Sequence, residues 1–306
     1  MAKSFKTVSI TITYNPDITI LTRQLRSLES QCDVVIVDNG TNANTFAKIK
    51  QISKNKNFIT LIALDKNIGI SNAQNIGIEY LMHNHPGIHF VLFLDHDSIP
   101  PKDMIKALEI DFEFLVKSGN NPAALGPLLF DPRDKNYLGF HLKKWGFWLK
   151  KIPTKPQIIE CQSLNSSGSL ISIEALNKVG LLQKDFFMDH GETEWCFRAI
   201  DKGYKIFGTS KVVMEHNMGD EICEYWFFGN RRMPYRSPQR HYYIIRNSIL
   251  LQKISYIPLT WKFWNIIKVF FTFSYFGFVS KETREQRYFI WKGICEGLKG
   301  VTGKRA

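Results

Sequence analysis

The chain has 306 residues, enough for one large domain or two small ones around a substantial core. Because 44% of the residues are hydrophobic, 22% are charged and the five cysteines include no Cys-x-x-Cys pair, the composition excludes an intrinsically disordered chain, a disulfide framework and a zinc finger. The net charge of +12 is concentrated after residue 222, where 15 lysines and arginines face four glutamates, and this indicates a nucleic acid or a membrane surface as partner of that region.

The first 120 residues alternate the patterns of buried strands and amphipathic helices. Strands joined by crossover helices indicate an α/β fold with a mostly parallel central sheet and helices on both faces. The predicted strands are residues 6–15, 32–40, 57–64 and 88–97, and the predicted helices lie within 17–30, 65–84 and 101–119, the last with proline at its start.

The rest of the chain is less regular. Residues 123–219 predict antiparallel strands mixed with short helices. Residues 256–279 are strongly apolar and aromatic, but lysines and an asparagine leave an uninterrupted run of only 11 residues, short of the roughly 20 needed to span a bilayer. An interfacial helix with aromatic and lysine anchors fits this pattern, and a core helical hairpin or an oligomer interface is the alternative.

Polar residues end each of the four predicted strands. In open parallel sheets ligands bind outside the carboxyl ends of the strands, so these residues are expected to share one crevice. A dinucleotide-binding oxidoreductase is excluded because the first strand is followed by "TYNPD", which lacks the glycines of a phosphate loop. The strand ends are Thr13 to Asn15, Asp38 to Gly40, Asp65 to Asn67 and Asp95 to Asp97.

Asp95 and Asp97 form a D-x-D pair at the end of an apolar strand. Mg²⁺ and Mn²⁺ prefer oxygen ligands and commonly take one or two carboxylates together with substrate phosphates. The alternative is a strand-to-helix turn in which Asp97 or Ser98 caps a helix.

A second acidic cluster, in "DFFMDHGETEWCFRAIDKGYK", contains Asp189, Glu192 and Glu194. A carboxylate in such a loop can act as a general base, although acidic residues also favour the first turn of a helix. For Glu194 we expect the helix-turn role or an ion pair with Arg198. His216 follows an apolar strand and is either a metal ligand, a phosphate contact or a structural histidine.

The segment "RRMPYRSPQRHYYIIRN" places arginines among aromatic residues, a pattern suited to phosphate recognition. Single-stranded nucleic acid is the competing ligand, but the chain carries no named nucleic-acid-binding motif, so no nucleic-acid partner is predicted.

Taken in order, the motifs resemble those of the inverting family 2 glycosyltransferases, and among them the bacterial rhamnosyltransferases of cell-surface polysaccharide assembly. The quoted segments are "TYNP", "VDNG", "NIGISNAQNIGI", "FLDHDS", "NSSGSLIS", "FFMDHGETEWCFRAIDKGYKIFG", "VMEHNMGD", "SPQRHYYIIRN" and "GICEGLKGVTGK". The resemblance implies a GT-A fold, a catalytic domain over 1–222 with a nucleotide-binding half (1–120) and an acceptor half (121–222), and a C-terminal helical region (223–306) at the membrane surface or an oligomer interface.

The resemblance also implies a role for each site residue. Glu192 stands where the family usually has Asp before "TEW", so it is the expected base, with Asp189 as the second candidate. The metal, Mg²⁺ or Mn²⁺, is expected at Asp95, Asp97 and His216. The expected nucleotide-sugar contacts are Thr13, Asn15, Asp38, Asn67, Gly69, Asn75, Asp95, Ser167, Gly168, Arg236 and Arg240.

The function that the resemblance implies is transfer of L-rhamnose from dTDP-β-L-rhamnose to a polyprenyl-diphosphate-linked glycan, as in O-antigen or capsule synthesis. A UDP-sugar donor and an inactive nucleotide-sugar-binding scaffold are the alternatives. Because no apolar signal segment precedes the first predicted strand, we expect a cytoplasmic protein, peripheral on the inner face of the cell membrane.

Overall fold

The first half of the chain forms the alternating strands and helices that its sequence predicts. The computed structural model describes residues 6–133, 135–217, 221–226 and 230–305, so the last three residues of "VMEHNMGD" lie outside the described part. The strands are β1 (Thr7–Thr13), β2 (Asp33–Asn39), β3 (Ile59–Leu64), β4 (Phe90–Asp95), β5 (Pro122–Asp131), β6 (Asn136–Leu138), β7 (Phe140–Lys144), β8 (Phe147–Lys151), β9 (Ile158–Cys161), β10 (Leu170–Ser172), β11 (Lys205–Glu215), β12 (Glu221–Trp226) and β13 (Asn230–Tyr235). The helices are α1 (Ile18–Leu28), α2 (Ala43–Ser53), α3 (Ile70–Asn84), α4 (Met104–Lys117), α5 (Ile173–Val179), α6 (Gly191–Asp201), α7 (Pro238–Gln252), α8 (Leu259–Phe278) and α9 (Thr283–Lys299).

The central sheet has the strand order β3-β2-β1-β4-β10-β5-β11-β9, with β6 paired to β5. Strands β1 to β4 pair in parallel, and β5 and β11 run in the same direction because β10 is antiparallel to both β4 and β5. Only the short strands β6, β9 and β10 run the opposite way. The sheet is therefore mostly parallel, with the predicted antiparallel strands in the middle of the chain.

Helices cover both faces of this sheet and form two apolar layers. One layer packs α3, α5 and α6 against β1 and β4, with residues such as Ile10, Ala73 and Trp195. The other packs α1, α2 and α4 on the opposite face, with Leu25, Ile49 and Leu108 among its buried residues. This is the doubly covered parallel sheet expected from strands that are apolar on both faces.

Helices α1, α2, α5 and α7 each begin with a side-chain cap. Asp17 caps α1 by accepting from the Thr19 and Ile20 amides, and Ser237 caps α7 with Pro238 in its first turn. The predicted start of α4 at Pro101 is wrong, because Asp103 in a left-handed conformation precedes the first helical residue, Met104.

The C-terminal region is helical only from Pro238 onward. Residues 221–226 and 230–235 form the β12–β13 hairpin, so the expected boundary at residues 222/223 falls inside a strand. Helices α7 and α9 pack extensively on each other, with α8 against both. Within the described residues, every helix is too short or too polar to cross a membrane.

Candidate active site

The polar strand ends lie side by side, as the sequence predicts. Thr13 of β1 is in register with Asp38 of β2, and Ile12 is in register with Asp95 of β4. Asn39 of β2 pairs with Leu64, the last residue of β3. The carboxyl ends of four neighbouring strands therefore form one edge of the sheet. Along this edge β1 lies between β2 and β4.

The end of β1 is linked to the end of β2 by hydrogen bonds. The Thr13 hydroxyl donates to Asp38 Oδ1 over 2.8 Å, and the Thr41 amide donates to Asp38 Oδ2 over 3.1 Å. Asn15 Oδ1 accepts from the amide and the side chain of Asn42. Asp38 is buried, so these contacts fix a carboxylate at the edge where a base or ribose would bind.

The loop after β3 connects the end of β2 to the segment that contains the second acidic cluster. Asn67 Oδ1 accepts from Asn39 and from the Gly69 amide. Gly69 has φ +92°, and a Cβ there would lie 2.5 Å from the Phe187 carbonyl oxygen, so glycine is required. Asn75 is buried, and its amide group hydrogen-bonds both backbone groups of Leu182, so it supports the loop after α5.

Asp95, Asp97 and His216 form one cluster. One potential ligand atom from each lies within 4.8 Å of the others. Asp97 Oδ1 is buried and has no hydrogen-bond partner among the described residues, a costly state for a carboxylate oxygen unless an ion satisfies it. Burial raises the pKa of Asp95, the His216 charge opposes this and the Asp97 charge reinforces it. Two carboxylates and an imidazole are a donor set that fits Mn²⁺ or Mg²⁺.

Buried polar residues hold this cluster from behind. Ser98 Oγ lies 2.8 Å from His216 Nδ1 and 2.7 Å from Ser167 Oγ, and Ser167 in turn accepts from the Asp95 amide over 3.1 Å. Gln24 of α1 donates to the Asp95 and Ser98 carbonyl oxygens. The turn after β4 is thus fixed by groups on three other parts of the chain.

Ser167 therefore supports the cluster directly, through its hydrogen bond with the Asp95 amide. Gly168 has φ +86°, and a Cβ there would lie 2.8 Å from Pro127 and 2.9 Å from Met214. Its amide donates to the Phe93 carbonyl oxygen on β4. The "NSSGS" loop consequently packs tightly behind β4.

The catalytic-loop candidate, residues 185–191, is held by α7. Arg240 Nε and Nη2 donate to the two oxygens of Asp189 over 3.3 and 3.2 Å. Asn247 Nδ2 donates to the Met188 and Asp189 carbonyl oxygens, and Ser248 hydrogen-bonds His190. Arg240 thus contacts one of the carboxylates proposed as base, and the C-terminal region is part of the site.

The two candidate bases have opposite pKa shifts. Burial raises the pKa of Glu192 to about 7, and the charges of Asp189 and Asp95 add to this. Glu192 lines a small, mostly apolar cavity with Leu164 and Trp195, which accounts for its desolvation. For Asp189, burial also acts to raise the pKa, but Arg240 outweighs it with charge and hydrogen bonds, and the pKa is lowered.

Glu194 has the structural role expected for it. It accepts from Arg198 Nε over 2.7 Å and from Nη2 over 3.0 Å, and it also accepts from the Tyr256 hydroxyl. Arg198 further donates to the Val179 and Leu181 carbonyl oxygens. This network joins α6 to the loop after α5 and gives Glu194 a structural ion pair with Arg198.

Sequence reasoning missed the supporting residues. Gln24 and Ser248 lie outside the quoted segments, Ser98 and Asn247 lie inside them without a predicted supporting role, and each of the four acts on a residue far away in the chain. Arg236 is half-buried before α7, and its charge contributes to lowering the pKa of Asp189. The spacing of motifs along the sequence also did not indicate that α7 lies beside the loop that contains Asp189.

Comparison with known proteins agrees with this arrangement. The family model "Glycosyl transferase family 2" matches residues 9–147. The protein "dTDP-rhamnosyl transferase RfbF" of Shigella flexneri is 32% identical over 305 residues, which cover 96% of this chain and 96% of that protein.

Solved structures share the fold at low identity. GalNAc-T7 with UDP, GalNAc and Mn²⁺ superposes with a TM-score of 0.60 at 11% identity, over 98% of this chain and 57% of that one. The mannosyltransferase PcManGT from Pyrobaculum calidifontis, in complex with GDP-Man and Mn²⁺, gives 0.56 at 13% identity, over 97% and 88%. These structures show that the fold is GT-A-like. The chain belongs to glycosyltransferase family 2.

Proposed function

We propose that this glycosyltransferase transfers L-rhamnose from dTDP-β-L-rhamnose, with inversion, to a lipid-linked glycan acceptor. The observation that carries glycosyl transfer is the cluster of Asp95, Asp97 and His216 together with Glu192, which is near enough for the Asp95 charge to raise its pKa. The choice of donor is supported by the full-length relative, whose name specifies dTDP-rhamnose transfer.

In this proposal Asp95, Asp97 and His216 hold Mn²⁺ or Mg²⁺. The fit is supported by the buried Asp97 oxygen that lacks a partner among the described residues and by the mixed oxygen and nitrogen donor set. A His216 Nδ1–H donating to Ser98 would leave the Nε2 lone pair for coordination. When bound, the ion supplies Lewis-acid stabilisation of the donor's diphosphate.

Glu192 serves as the general base. Its carboxylate takes the proton of an acceptor hydroxyl, and that oxygen attacks the anomeric carbon. The bond from this carbon to the diphosphate oxygen breaks, and dTDP leaves with the electron pair. One displacement converts a β-linked donor into an α-glycoside. Asp189, with its lowered pKa and its ion pair to Arg240, is better suited to hold the loop than to accept a proton.

The nucleotide binds over the ends of β1 to β3. Asp38, positioned by Thr13, is the proposed partner of the base, and Asn15, Asn67 and the Gly69 backbone line the ribose side. Arg240 and Arg236 lie near Asp189, where their charges lower the pKa of that carboxyl group. We propose that they steady the phosphates of the donor or of the acceptor.

The acceptor is proposed to be carried by a polyprenyl diphosphate at the cytoplasmic membrane surface. Helix α8 supports this assignment because it contains no acidic residue and exposes a row of apolar side chains. The most exposed are Leu259, Phe263, Ile266, Phe270, Phe271 and Phe278. A helix of this kind can lie in the interface of an anionic bilayer.

The test is calorimetric titration of the purified protein with dTDP and with UDP, each with Mn²⁺ and with EDTA, followed by product analysis with dTDP-β-L-rhamnose. We expect dTDP to bind more tightly than UDP, only with Mn²⁺, and to lose this binding in Asp97→Asn. The exposed Asp201→Asn, at the far end of α6, is the matched control.

The other possible results of this titration would support a different function or refute the proposal. Preference for UDP would indicate a UDP-sugar donor. Metal-dependent binding of dTDP without any transfer to a lipid-linked acceptor would support an inactive binding scaffold. Failure of folded protein to bind either nucleotide would refute the proposal.

A further inference from the structure

The β7–β8 hairpin presents a tryptophan at its tip. Trp145 and Gly146 form the two-residue connection, both with positive φ, +50° and +79°. Two-residue turns with positive φ at both positions strongly favour Asn and Gly, so tryptophan is an unusual occupant of the first position. Its side chain is 85% exposed. Neither the turn nor the core explains why this position is aromatic.

The strands beside this tip also expose apolar side chains, and lysines lie next to these side chains in the sequence. Phe147 is 54% exposed and Leu149 is 45% exposed. Four lysines flank these side chains, and the sequence from 135 to 159 contains six lysines and no acidic residue. The flanking lysines are Lys143, Lys144, Lys150 and Lys151.

The base of the hairpin is anchored in the core. Trp148 packs edge-on against Phe197 of α6 and stacks on His141. Phe140 fills the space beside Gly208, where a Cβ would lie 2.1 Å from its ring. The hairpin is therefore fixed to the helix that carries Glu192, and its exposed aromatic groups belong to an ordered surface.

This surface continues onto α8. The rings of Phe147 and Trp264 lie 6.4 Å apart, which joins the hairpin to the exposed apolar row of α8. Like the hairpin, α8 carries lysines and no acidic residue. The two elements form one basic and aromatic surface, which we name the hairpin–α8 face.

We propose that the β7–β8 hairpin docks into the headgroup region of an anionic lipid bilayer, with Trp145 inserted and the lysines on lipid phosphates. Tryptophan favours the membrane interface, and lysine can cover apolar surface with its stem while its charge remains in water. A second copy of the chain fits poorly, because a two-fold interface would bring the same lysines against each other.

This inference extends the membrane contact in the proposed function from α8 to a second element, but its test needs no catalytic activity. The full chain is incubated with vesicles of equal parts phosphatidylglycerol and phosphatidylcholine, and with pure phosphatidylcholine, and the bound fraction is measured by sedimentation. We expect binding only to the anionic vesicles, weakened by salt.

Two hairpin variants are compared with matched controls. Trp145→Ser with Phe147→Ser removes the apolar tip, and glutamine at the four flanking lysines removes the charge. Each should lower vesicle binding by roughly tenfold or more. The controls are Phe114→Ser, an exposed aromatic on α4, and glutamine at Lys48, Lys50, Lys54 and Lys56, near the opposite edge of the sheet. Both controls should bind as wild type.

Melting temperature and dTDP binding are measured on every variant, so that a folding defect or a failure of the glycosyltransferase proposal is recognised separately. Wild-type protein that ignores anionic vesicles, or hairpin variants that bind them as well as the controls do, would overturn the inference. So would self-association that the tip variant abolishes while vesicle binding is unaffected, because the face would then belong to a second copy.

Discussion

Asp189 in the loop before α6 and Glu192 in the first turn of α6 lie three positions apart, yet their environments shift their pKa values in opposite directions. Burial and the neighbouring negative charges hold the pKa of Glu192 at about 7, whereas Arg240 offsets the effect of burial at Asp189 and lowers its pKa. Pairs of carboxyl groups whose pKa values are separated in this way are typical of acid–base sites. The single glutamate in place of the family's aspartate keeps the required group.

The rate of transfer should therefore depend on ionisation of Glu192. We expect kcat to fall with decreasing pH through a limb near or slightly below pH 7, since a cation at Asp95 would remove one of the charges that raise the pKa. Asp189→Asn should move this limb to lower pH by removing a second negative charge. The measurement is a pH–rate profile for both proteins, and an unmoved limb would argue against Glu192 as the titrating group.

Glu192→Gln should lower kcat by roughly a hundredfold or more and leave dTDP binding intact. It should also stabilise the metal-free protein at high pH. The folded state holds a proton that the unfolded chain releases near its ordinary pKa of 4.5, so stability is lost as pH rises from there through about 7. Melting in EDTA should show a higher Tm for Glu192→Gln at pH 8 and little difference at pH 4. Equal Tm at both pH values would contradict the raised pKa.

At this scale the sequence identified the acidic residues but not the groups that support them. Asp95, Asp97, Glu192 and Glu194 stand in recognisable motifs. Gln24 donates to carbonyl groups 71 and 74 positions away in the chain, and no local pattern encodes such a contact. The family resemblance suggested the roles of these carboxylates, whereas the groups that hold them in position are seen only in the folded structure.

At the level of elements, α7 acts as the support of the catalytic loop. Asn247 is buried, donates to two carbonyl oxygens of that loop and accepts from Arg246. A change to alanine leaves these groups without their partner in a buried position, which costs about 1–3 kcal/mol. The loop orientation should suffer more than the nucleotide site, which lies on other elements.

Asn247→Ala should accordingly lower kcat and Tm while the affinity for dTDP with Mn²⁺ stays near that of wild type. Asn84→Ala is the matched control, because Asn84 makes its own hydrogen bond to Tyr80 within α3 and is exposed. Steady-state kinetics, calorimetry and thermal melting separate the effects. Equal losses of kcat and Tm in the two variants would show that Asn247 of α7 does not position the loop.

The elements predicted best were those with long regular patterns. Strands β2 and β4 have continuous apolar runs, β1 and β3 are rich in β-branched residues, and each was located within a few residues. The β7–β8 hairpin falls among the antiparallel strands expected over 123–219, but its bounds were not predicted, and β12–β13 was missed. In both, lysines, arginines and aromatics interrupt the alternation that identifies a half-buried strand. Helix α8 was predicted as a helix, but its place beside the hairpin depends on the Phe147–Trp264 contact.

For the whole molecule, the proposed site joins distant parts of the chain. In the proposed mechanism, residues 13 to 97 supply the nucleotide edge and Glu192 of α6 supplies the base. Helix α7 and the terminal segment pack behind the loop before α6, where Gly303 donates to Asp185 and accepts from Arg246. Cutting the chain at residue 222 would remove α7 from the catalytic loop. The expected division into a catalytic domain and a separate C-terminal region is therefore better treated as one cooperative unit.

A cooperative unit should melt in one transition that ligands shift as a whole. A ligand that binds only the folded protein stabilises it by about 2.7 kcal/mol at a hundredfold excess over its dissociation constant, so dTDP with Mn²⁺ should raise Tm by several degrees. Asp97→Asn should abolish this rise, because it removes a charge from the proposed ion site. Ser98→Ala should only reduce it, since His216 would keep its position with one hydrogen bond fewer. Calorimetry that resolved two transitions, with only the first responding to dTDP, would instead show that α7 to α9 melt independently of the nucleotide site.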